Sequence, residues 1–455
     1  MRLWIRGGRV VDPANDVDSV GDLLVADGKV AAVALRAERL AGSDPGWEAD
    51  SILDAEGCVV CPGFVDLHCH LREPGQEEKE DIASGTAAAA RGGFTTVCAM
   101  ANTKPVTDCL SVVNYVVKAA AERGSVRVLP IASITRGLAG AELTEMGELT
   151  RAGVVGFSDD GKPLASSSLM RHALEYSRMF ARPIIQHSED PELAHGGLMN
   201  EGAASIRLGL KGVPAAAEVA MVARDLALAE LTGGWLHVAH VSTAEAVELI
   251  RRAKQKGVRV TAEVTPHHLV LTEDWVAGDR GRWGRGLPYD TNTKVNPPLR
   301  TAADARALLS GLRDGTIDAI ATDHAPHASV DKECEYGYAA SGISGFETAL
   351  GLLMELVRAG ELELGLLIHR LTIGPARAFG LSAGSLAVGA QADVVVFDPE
   401  REWVVQATEL LSRGHNTPLL GLDLRGQVVY TLVAGKPAYA SEGYQVRAVA
   451  PLEAR

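Results

Sequence analysis

Short apolar runs alternate with helical patterns through the middle of the chain, from about residue 63 to residue 375. The runs have the length and β-branched content of buried strands, and the segments between them repeat apolar positions at helical spacing. Predicted strands span 63–67, 95–100, 126–131, 153–157, 183–187, 235–240, 259–264 and 319–322. Predicted helices span 82–91, 112–123, 169–180, 215–232 and 243–256. About eight such units predict an α/β fold in which a parallel sheet closes into a TIM-type (β/α)8 barrel.

Both ends of the chain instead show short alternating strands separated by turns. These predicted strands are 3–11, a hairpin over 22–33 around Asp27-Gly28, 58–63, 392–397, 402–405 and 427–433. We therefore predict a catalytic barrel over residues 63–380 and one small β-domain formed by residues 1–62 and 381–455.

Composition and charge narrow the class of protein. Hydrophobic residues make up 47% of the 455 residues and aromatic residues 5%, which fits helices packed on buried parallel strands. A net charge of −14 without a basic patch argues against nucleic-acid binding. Neither a signal peptide nor an apolar run of 18 residues is found, so we expect a cytoplasmic protein without a membrane span. Cys58 and Cys61 lack a second CxxC pair and are predicted to be buried thiols.

Histidine and aspartate residues recur where predicted barrel strands end. His68 and His70 follow an apolar strand, and because alternate strand residues point the same way, both imidazoles face one side. The other candidates at strand ends are His187, His240, Asp323, Asp159 and Asp160. An isolated His-x-His would more simply be two structural histidines. Recurrence at the carboxyl ends of several strands, where barrel active sites form, favours a metal centre.

Four imidazoles and two carboxylates without a thiolate suit two zinc ions about 3.5–4 Å apart, with manganese or cobalt as substitutes. Such a pair lowers the pKa of water, so a bridging hydroxide would be the nucleophile and one metal would polarise the attacked carbonyl. Asp323 would take the proton and pass it to the leaving nitrogen.

Longer motifs surround these residues. They are Gly63–Gly75, Gly92–Thr96 with Asn102–Pro105, Val295–Arg300, Ala321–His327 followed by Lys332, and Gly384–Asp393. Together they resemble the amidohydrolase superfamily and, within it, the bacterial type I dihydroorotases. The resemblance implies a cyclic amide hydrolase that interconverts N-carbamoyl-L-aspartate and (S)-dihydroorotate in pyrimidine (UMP) biosynthesis, with two zinc ions per subunit. It assigns His68, His70 and Asp323 to one zinc, and His187 and His240 to the other.

The group that bridges the two metals needs a separate assignment. Many relatives use a carboxylated lysine, whereas here the corresponding strand continues as Phe157-Ser158-Asp159-Asp160-Gly161. The resemblance implies an aspartate bridge, which we assign to Asp160 with Asp159 as the alternative. Lys162 is the nearest lysine and the remaining candidate.

The resemblance also implies the substrate contacts, which are His70, Arg72, Asn102, Asn296, His327, Ser341 and Gly342. A guanidinium and an amide can hold the carboxylate of dihydroorotate through charge-assisted hydrogen bonds. Otherwise Arg72 would form a surface salt bridge and Asn102 would cap a turn. His267 and His268 also match the family pattern, and we interpret them as structural. Ala101 replaces the usual proline of the substrate loop, which frees one backbone angle.

Two alternative functions stay open. An allantoinase or hydantoinase would share the scaffold, although Arg72 and the aspartate pair argue against it. Some dihydroorotase-like chains have lost their metal ligands and serve as scaffolds for aspartate transcarbamoylase, whereas this chain has every candidate ligand. The sequence leaves open whether the chain forms a homodimer or associates with aspartate transcarbamoylase.

Overall fold

A computed structural model describes residues 2–35, 47–444 and 446–448. The predicted β-domain segments 1–62 and 381–455 therefore include residues 1, 36–46, 445 and 449–455, which lie outside the described residues. The strands are β1 (Arg2–Asp12), β2 (Val17–Ala26), β3 (Lys29–Leu35), β4 (Ser51–Asp54), β5 (Val59–Pro62), β6 (Phe64–Cys69), β7 (Phe94–Ala99), β8 (Arg127–Pro130), β9 (Phe157–Ser158), β10 (Ile184–Gln186), β11 (Met199–Asn200), β12 (Gly212–Val213), β13 (Leu236–Val238), β14 (Val260–Val264), β15 (Ala319–Ile320), β16 (Val394–Val404), β17 (Asp423–Val433), β18 (Lys436–Ala440) and β19 (Arg447–Ala448).

The helices are α1 (Ile82–Arg91), α2 (Leu110–Arg123), α3 (Met146–Arg151), α4 (Ser167–Ser177), α5 (Ala203–Leu208), α6 (Ala215–Thr232), α7 (Ala244–Gln255), α8 (Pro266–Val270), α9 (Ala302–Asp314), α10 (Ser329–Lys332), α11 (Ala349–Arg358), α12 (Leu364–Leu371) and α13 (Ile373–Phe379). The five predicted helices, which are α1, α2, α4, α6 and α7, begin and end within three residues of the predicted positions. Helix α1 begins after Asp81, whose carboxylate accepts a hydrogen bond from the Ser84 N–H at 2.8 Å, as an N-cap residue does. No helix in the described part of the chain has the length and apolar character that crossing a membrane requires.

Parallel strands of the described chain form the barrel. Ladders join β6, β7 and β8 in one group and β9, β10, β13, β14 and β15 in another. Single bridges link the groups, between Ala132 and Phe157 on one side and between Cys69 and His324 on the other. At the second junction the buried Asp66 carboxylate accepts hydrogen bonds from the N–H of Thr322 at 2.8 Å and from its hydroxyl at 2.6 Å. The predicted (β/α)8 barrel is confirmed.

The two ends of the chain meet in one sheet beside the barrel. Its strand order is β18-β17-β16-β5-β1-β2-β3, with β4 and β19 at its side. Strand β5 pairs parallel with β1 and antiparallel with β16. The small β-domain built from both ends is confirmed, while the boundaries at 62/63 and 380/381 stay a prediction.

One predicted break in this sheet is wrong. Residues 392–397 and 402–405 were expected to form two strands, but the single strand β16 (Val394–Val404) covers most of both, and its pairing with β17 is irregular between Asp398 and Glu402. The Asp398 carboxylate accepts hydrogen bonds from the N–H groups of Glu400 and Arg401, at 2.9 and 3.1 Å. This local turn absorbs the extra residues without ending the strand.

Between β16 and β17, residues 405–422 leave the sheet and lie against the barrel; we call them the rim segment. Val405 and Leu419 pack in one apolar cluster with Leu271, Ile343 and Leu352. The carboxylate of Glu347, which precedes α11, accepts hydrogen bonds from the backbone N–H groups of residues 411 and 412, at 2.9 and 3.1 Å. The rim segment therefore connects the small sheet to the barrel.

The stability of this connection should depend on pH. Burial raises the pKa of Glu347 to about 7, against the opposing effect of its backbone donors and of Arg91 at 3.4 Å. Between pH 4.5, the ordinary pKa, and about 7, folded Glu347 keeps a proton that the unfolded chain has released. The free energy of unfolding should therefore decrease as pH rises through this window, by on the order of 1–3 kcal/mol.

Denaturant unfolding at a series of pH values measures this effect. Glu347→Gln cannot ionise, so its unfolding free energy should vary less over the same window. Equal pH slopes for the wild type and Glu347→Gln would contradict the assignment.

Candidate active site

The predicted metal ligands converge at the carboxyl ends of the barrel strands. His68 lies near the end of β6 and His70 directly follows it, while His187 directly follows β10. The remaining three, which lie two or three residues beyond β9, β13 and β15 respectively, are Asp160, His240 and Asp323. All six side chains are buried.

Three of these side chains form one group. The Asp323 carboxylate oxygen Oδ1 lies 3.1 Å from Nε2 of His70 and 3.6 Å from Nε2 of His68. The ligand atoms of all three lie within 4.8 Å of one another, which is close enough for them to hold one ion. His187 and His240 form a second group, with Nδ1 of His187 and Nε2 of His240 2.9 Å apart.

The carboxylate of Asp160 lies between the two groups. Its Oδ1 is 3.3 Å from Nε2 of His68, 3.6 Å from Nε2 of His240 and 3.7 Å from Nδ1 of His187. Its Oδ2 is 3.5 Å from Nε2 of His70. One carboxylate thus contacts all four imidazoles, as a bridging ligand would.

The charges of this cluster fit a divalent cation. Burial alone would raise the pKa of Asp160 and Asp323, but the neighbouring imidazoles, His68 foremost, hold both well below the ordinary value. Conversely, burial would lower the pKa of His68, and the two carboxylates raise it well above its usual range. Nε2 of His68 is buried and has no hydrogen-bond partner in the described structure. A cation at this position would give Nε2 a partner and neutralise the carboxylates.

A further carboxylate orients the predicted ligand His68 by binding the imidazole nitrogen that faces away from the cluster. Nδ1 of His68 donates to Oε1 of Glu263 at 2.7 Å, and Oε2 of Glu263 lies 3.2 Å from Nε2 of His237. Burial would raise the pKa of Glu263, but these two histidines lower it to about 2. The contact fixes the tautomer of His68 so that Nε2 faces the cluster. Glu263 was not among the predicted site residues; its signal in the sequence is a carboxylate within the predicted barrel strand β14.

Only one of the three bridge candidates touches the histidines. Asp159 faces the other way, where it accepts hydrogen bonds from the N–H groups of Ile134 and Thr135 at 2.8 and 3.0 Å. Lys162 is exposed. The geometry therefore favours Asp160 as the bridge, in agreement with the first choice made from the sequence.

A cavity of about 220 Å³ opens over the cluster. The residues predicted to contact substrate all line it, and these are His70, Arg72, Asn102, Asn296, His327, Ser341 and Gly342. Arg72 is buried rather than at the surface, and its Nε donates to the carbonyl of Pro326 at 3.1 Å. Its guanidinium lies 3.4 Å from Nε2 of His327. The structure thus places the positive charge of Arg72 in the same cavity as most of the predicted metal ligands, on a surface shared with His327 and Gly342 that we call the cationic wall.

The two asparagines join the wall to the cluster. Oδ1 of Asn102 accepts a hydrogen bond from Nδ1 of His70 at 2.9 Å, and its Nδ2 lies 3.3 Å from Oδ2 of Asp160. Nδ2 of Asn296 lies 3.3 Å from Nε2 of His187. Asn102 is therefore no turn cap.

Two further histidines near the cavity donate hydrogen bonds to backbone carbonyls. His327 donates from Nε2 to the carbonyl of Ser341 at 2.9 Å, and burial together with Arg72 lowers the pKa of His327 to about 3. His268 donates to the carbonyl of Pro297 at 3.0 Å, in agreement with its structural interpretation.

Comparison with known proteins gives a consistent result. A family model described as "Dihydro-orotase-like" matches residues 57–246. A dihydroorotase of Anaeromyxobacter sp. (strain K) is 55% identical over 95% of this chain and 97% of its own. One of Syntrophus aciditrophicus (strain SB) is 50% identical over 97% of this chain and 100% of its own.

Among solved structures, the L-hydantoinase from Arthrobacter aurescens superposes with a TM-score of 0.83 at 27% identity, over 98% of this chain and 97% of the hydantoinase. The dihydropyrimidinase from Brevibacillus agri has a TM-score of 0.77 at 23% identity over the same shares, which shows the fold alone. The hydantoinase-type structures share the barrel and its small β-domain, whereas the dihydroorotases have about twice their sequence identity to this chain. On sequence identity over nearly its whole length, the chain belongs to the dihydroorotase family.

Proposed function

We propose that the chain is a dihydroorotase that interconverts N-carbamoyl-L-aspartate and (S)-dihydroorotate, a step of pyrimidine (UMP) biosynthesis, in the 220 Å³ cavity. One observation carries the proposal: most of the predicted metal ligands and the buried guanidinium of Arg72 line the same cavity. A cyclic amide that bears a carboxylate needs both features, one for the amide and one for the anion. The relatives that are 50–55% identical are named dihydroorotase.

The donor set suits two zinc ions. His68, His70 and Asp323 would hold one, His187 and His240 the other, and Asp160 would contact both. Nitrogen and oxygen donors of this kind are common zinc ligands. When bound, zinc would supply a water that is ionised near neutral pH and would polarise the carbonyl under attack.

Asp323 would act as the general acid and base. Its carboxylate lines the cavity, and the surrounding imidazoles keep its pKa low, so it is ionised at neutral pH. In hydrolysis it accepts the proton of the attacking water and delivers it to the ring nitrogen as the C–N bond breaks. In the biosynthetic direction the substrate carboxylate takes up one proton from solution, and Asp323 moves a second proton from the attacking carbamoyl nitrogen to the leaving oxygen, so that water leaves as the C–N bond forms.

The cavity wall would hold the substrate. Arg72, Asn102 and His327 would bind the carboxylate of dihydroorotate, and Asn296 and the Ser341-Gly342 peptide would contact the ring. Arg72 is already aimed into the cavity by the carbonyl of Pro326, so little side-chain entropy is lost on binding.

A hydantoinase or allantoinase is the second candidate, because the L-hydantoinase superposes closely. The substrates of those enzymes lack the ring carboxylate that would pair with Arg72. We expect the purified chain to turn over dihydroorotate at least about 100-fold more efficiently than hydantoin or allantoin, because those two compounds lack the buried charged contact with Arg72. Parallel assays of the three compounds measure this ratio.

The same assays decide between the candidates. Faster turnover of hydantoin or allantoin would replace the proposed function, and no turnover of any of the three by a zinc-loaded chain would favour the inactive-scaffold alternative. Light scattering with and without aspartate transcarbamoylase would measure the oligomeric state and the association that the sequence leaves open.

His68→Ala should abolish turnover without unfolding the barrel. The change removes the Nε2 atom that faces both Asp160 and Asp323, so the zinc content per chain should fall and kcat should decrease on the order of 1,000-fold or more. Metal analysis, kinetics and thermal unfolding test this, with His415→Ala, an exposed histidine, as control. Full activity of His68→Ala would defeat the metal assignment.

Arg72→Met should weaken substrate binding by about 2–5 kcal/mol, because it leaves the substrate carboxylate without its buried cation. The KM for dihydroorotate should rise accordingly, while the zinc content stays constant. Arg171→Met, on the exposed surface of α4, is the control for loss of a positive charge. An unchanged KM in Arg72→Met would remove Arg72 from the substrate site.

A further inference from the structure

Asn416 lies in the rim segment, outside every motif that the sequence analysis assigned to the site. Its side chain is 5% exposed, and it comes from the part of the chain between two strands of the small sheet rather than from the barrel. It nevertheless reaches the back of the cavity wall.

Every hydrogen-bonding position of this amide is used. Oδ1 accepts from the N–H of His327 at 2.8 Å, and the Ser344 hydroxyl oxygen lies 2.9 Å away, with its single hydrogen shared between Oδ1 and the carbonyl of Gly414. Nδ2 donates to the carbonyls of Ala325 and Gly342, at 3.0 and 2.9 Å. A side-chain amide has two acceptor positions and two donor hydrogens, and each of the four has a partner within hydrogen-bond distance. Asn416 thus joins two separate stretches of the barrel rim.

The first stretch carries His327 and binds the guanidinium of Arg72. Ala325 and His327 are held on either side of Pro326, and the carbonyl of Pro326 accepts the hydrogen bond from Arg72 Nε at 3.1 Å. Any shift of this peptide would therefore move the guanidinium of Arg72 as well as the imidazole of His327.

The second stretch carries the peptide expected to contact the substrate ring. The carbonyl of Gly342 accepts a hydrogen bond from Asn416, and the N–H of Gly342 donates to the carbonyl of Lys294 at 2.9 Å. Gly342 has a φ of +145°, and a Cβ there would lie 2.7 Å from both Cβ and the carbonyl oxygen of Ala325. The two stretches are in contact, because the N–H of Ala325 donates to the carbonyl of Ile343 at 2.8 Å, and Asn416 binds a carbonyl of each.

We propose that Asn416 is a positioning residue for the substrate-binding wall, an inference that rests on the proposed function. Its amide sets the relative position of Arg72, His327 and the Gly342 peptide. It makes no hydrogen bond to the predicted metal ligands in the described structure. Loss of the amide should therefore weaken binding of the substrate carboxylate and leave the metal cluster intact.

The test uses the zinc-loaded full-length chain and two inhibitors that separate the halves of the site. Orotate carries the substrate carboxylate and should depend on the wall, whereas acetohydroxamate binds metals and should not. In Asn416→Ala, we expect the KM for dihydroorotate and the Ki of orotate to rise about 10- to 100-fold, since buried partners lose their bonds. The zinc content and the Ki of acetohydroxamate should remain as in the wild type.

His415→Ala, at the exposed neighbouring position, is the matched control and should leave all four quantities unchanged. An unchanged Ki of orotate in Asn416→Ala would overturn the inference, and so would equal weakening of both inhibitors, which would indicate a general structural role.

If Asn416→Ala does not fold, Ser344→Ala provides the second variant, because it removes one partner of Oδ1 and leaves the other three bonds. We then expect the Ki of orotate to rise about 2- to 5-fold, and no change would overturn the inference. Absence of dihydroorotate turnover in the wild type would defeat the proposed function itself. Wild-type turnover with wild-type orotate binding in these variants would defeat this inference alone.

Discussion

The placement of two buried carboxylates, Asp160 and Asp323, among four imidazoles is the constraint on which the rest of the structure depends. A buried carboxylate costs several kcal/mol unless it is paired, and here the partners come from different strands of the barrel. The cluster can therefore form only when the barrel has closed. Closure takes place at the same point, because Asp66 and its partner Thr322 lie next to the strand ends that carry His68 and Asp323. The hydrogen bonds between Asp66 and Thr322 thus set the register of the two strands whose ends carry His68 and Asp323.

Support for the cavity comes from two independent directions. The cluster is held from inside the barrel by Glu263, whose two oxygens face His68 and His237. The cationic wall is held from outside, by a rim segment that belongs in sequence to the small β-domain. This division of support gives the small domain a physical role beside its own packing, since it fixes the rim of the site.

Much of this arrangement was predictable from local pattern. Apolar runs broken at regular intervals identify barrel strands because parallel strands are buried on both faces. Because successive side chains of a strand point to opposite sides, His68 and His70 face the same side. The choice between Asp159 and Asp160 was harder, because both follow a two-residue strand and the direction of each depends on the pairing of β9 with its neighbours. Glu263 and Asn416 went unrecognised because their partners lie far away in sequence. An asparagine two residues after Gly414 and two residues before Pro418 locally predicts only a turn.

The likeness to an L-hydantoinase at 27% identity and the membership in the dihydroorotase family have one physical explanation. Strand ends are fixed by the barrel, so the metal-type cluster is the part of the site that such a scaffold can keep when its substrate changes. The wall is made of loop residues, and Arg72 is aimed by a backbone carbonyl rather than by a strand. Loops can change with little effect on the core, so the wall is the natural place for substrate choice. A loop that must present a buried cation still needs a rigid support, and here that support is the amide of one side chain contributed by the other domain.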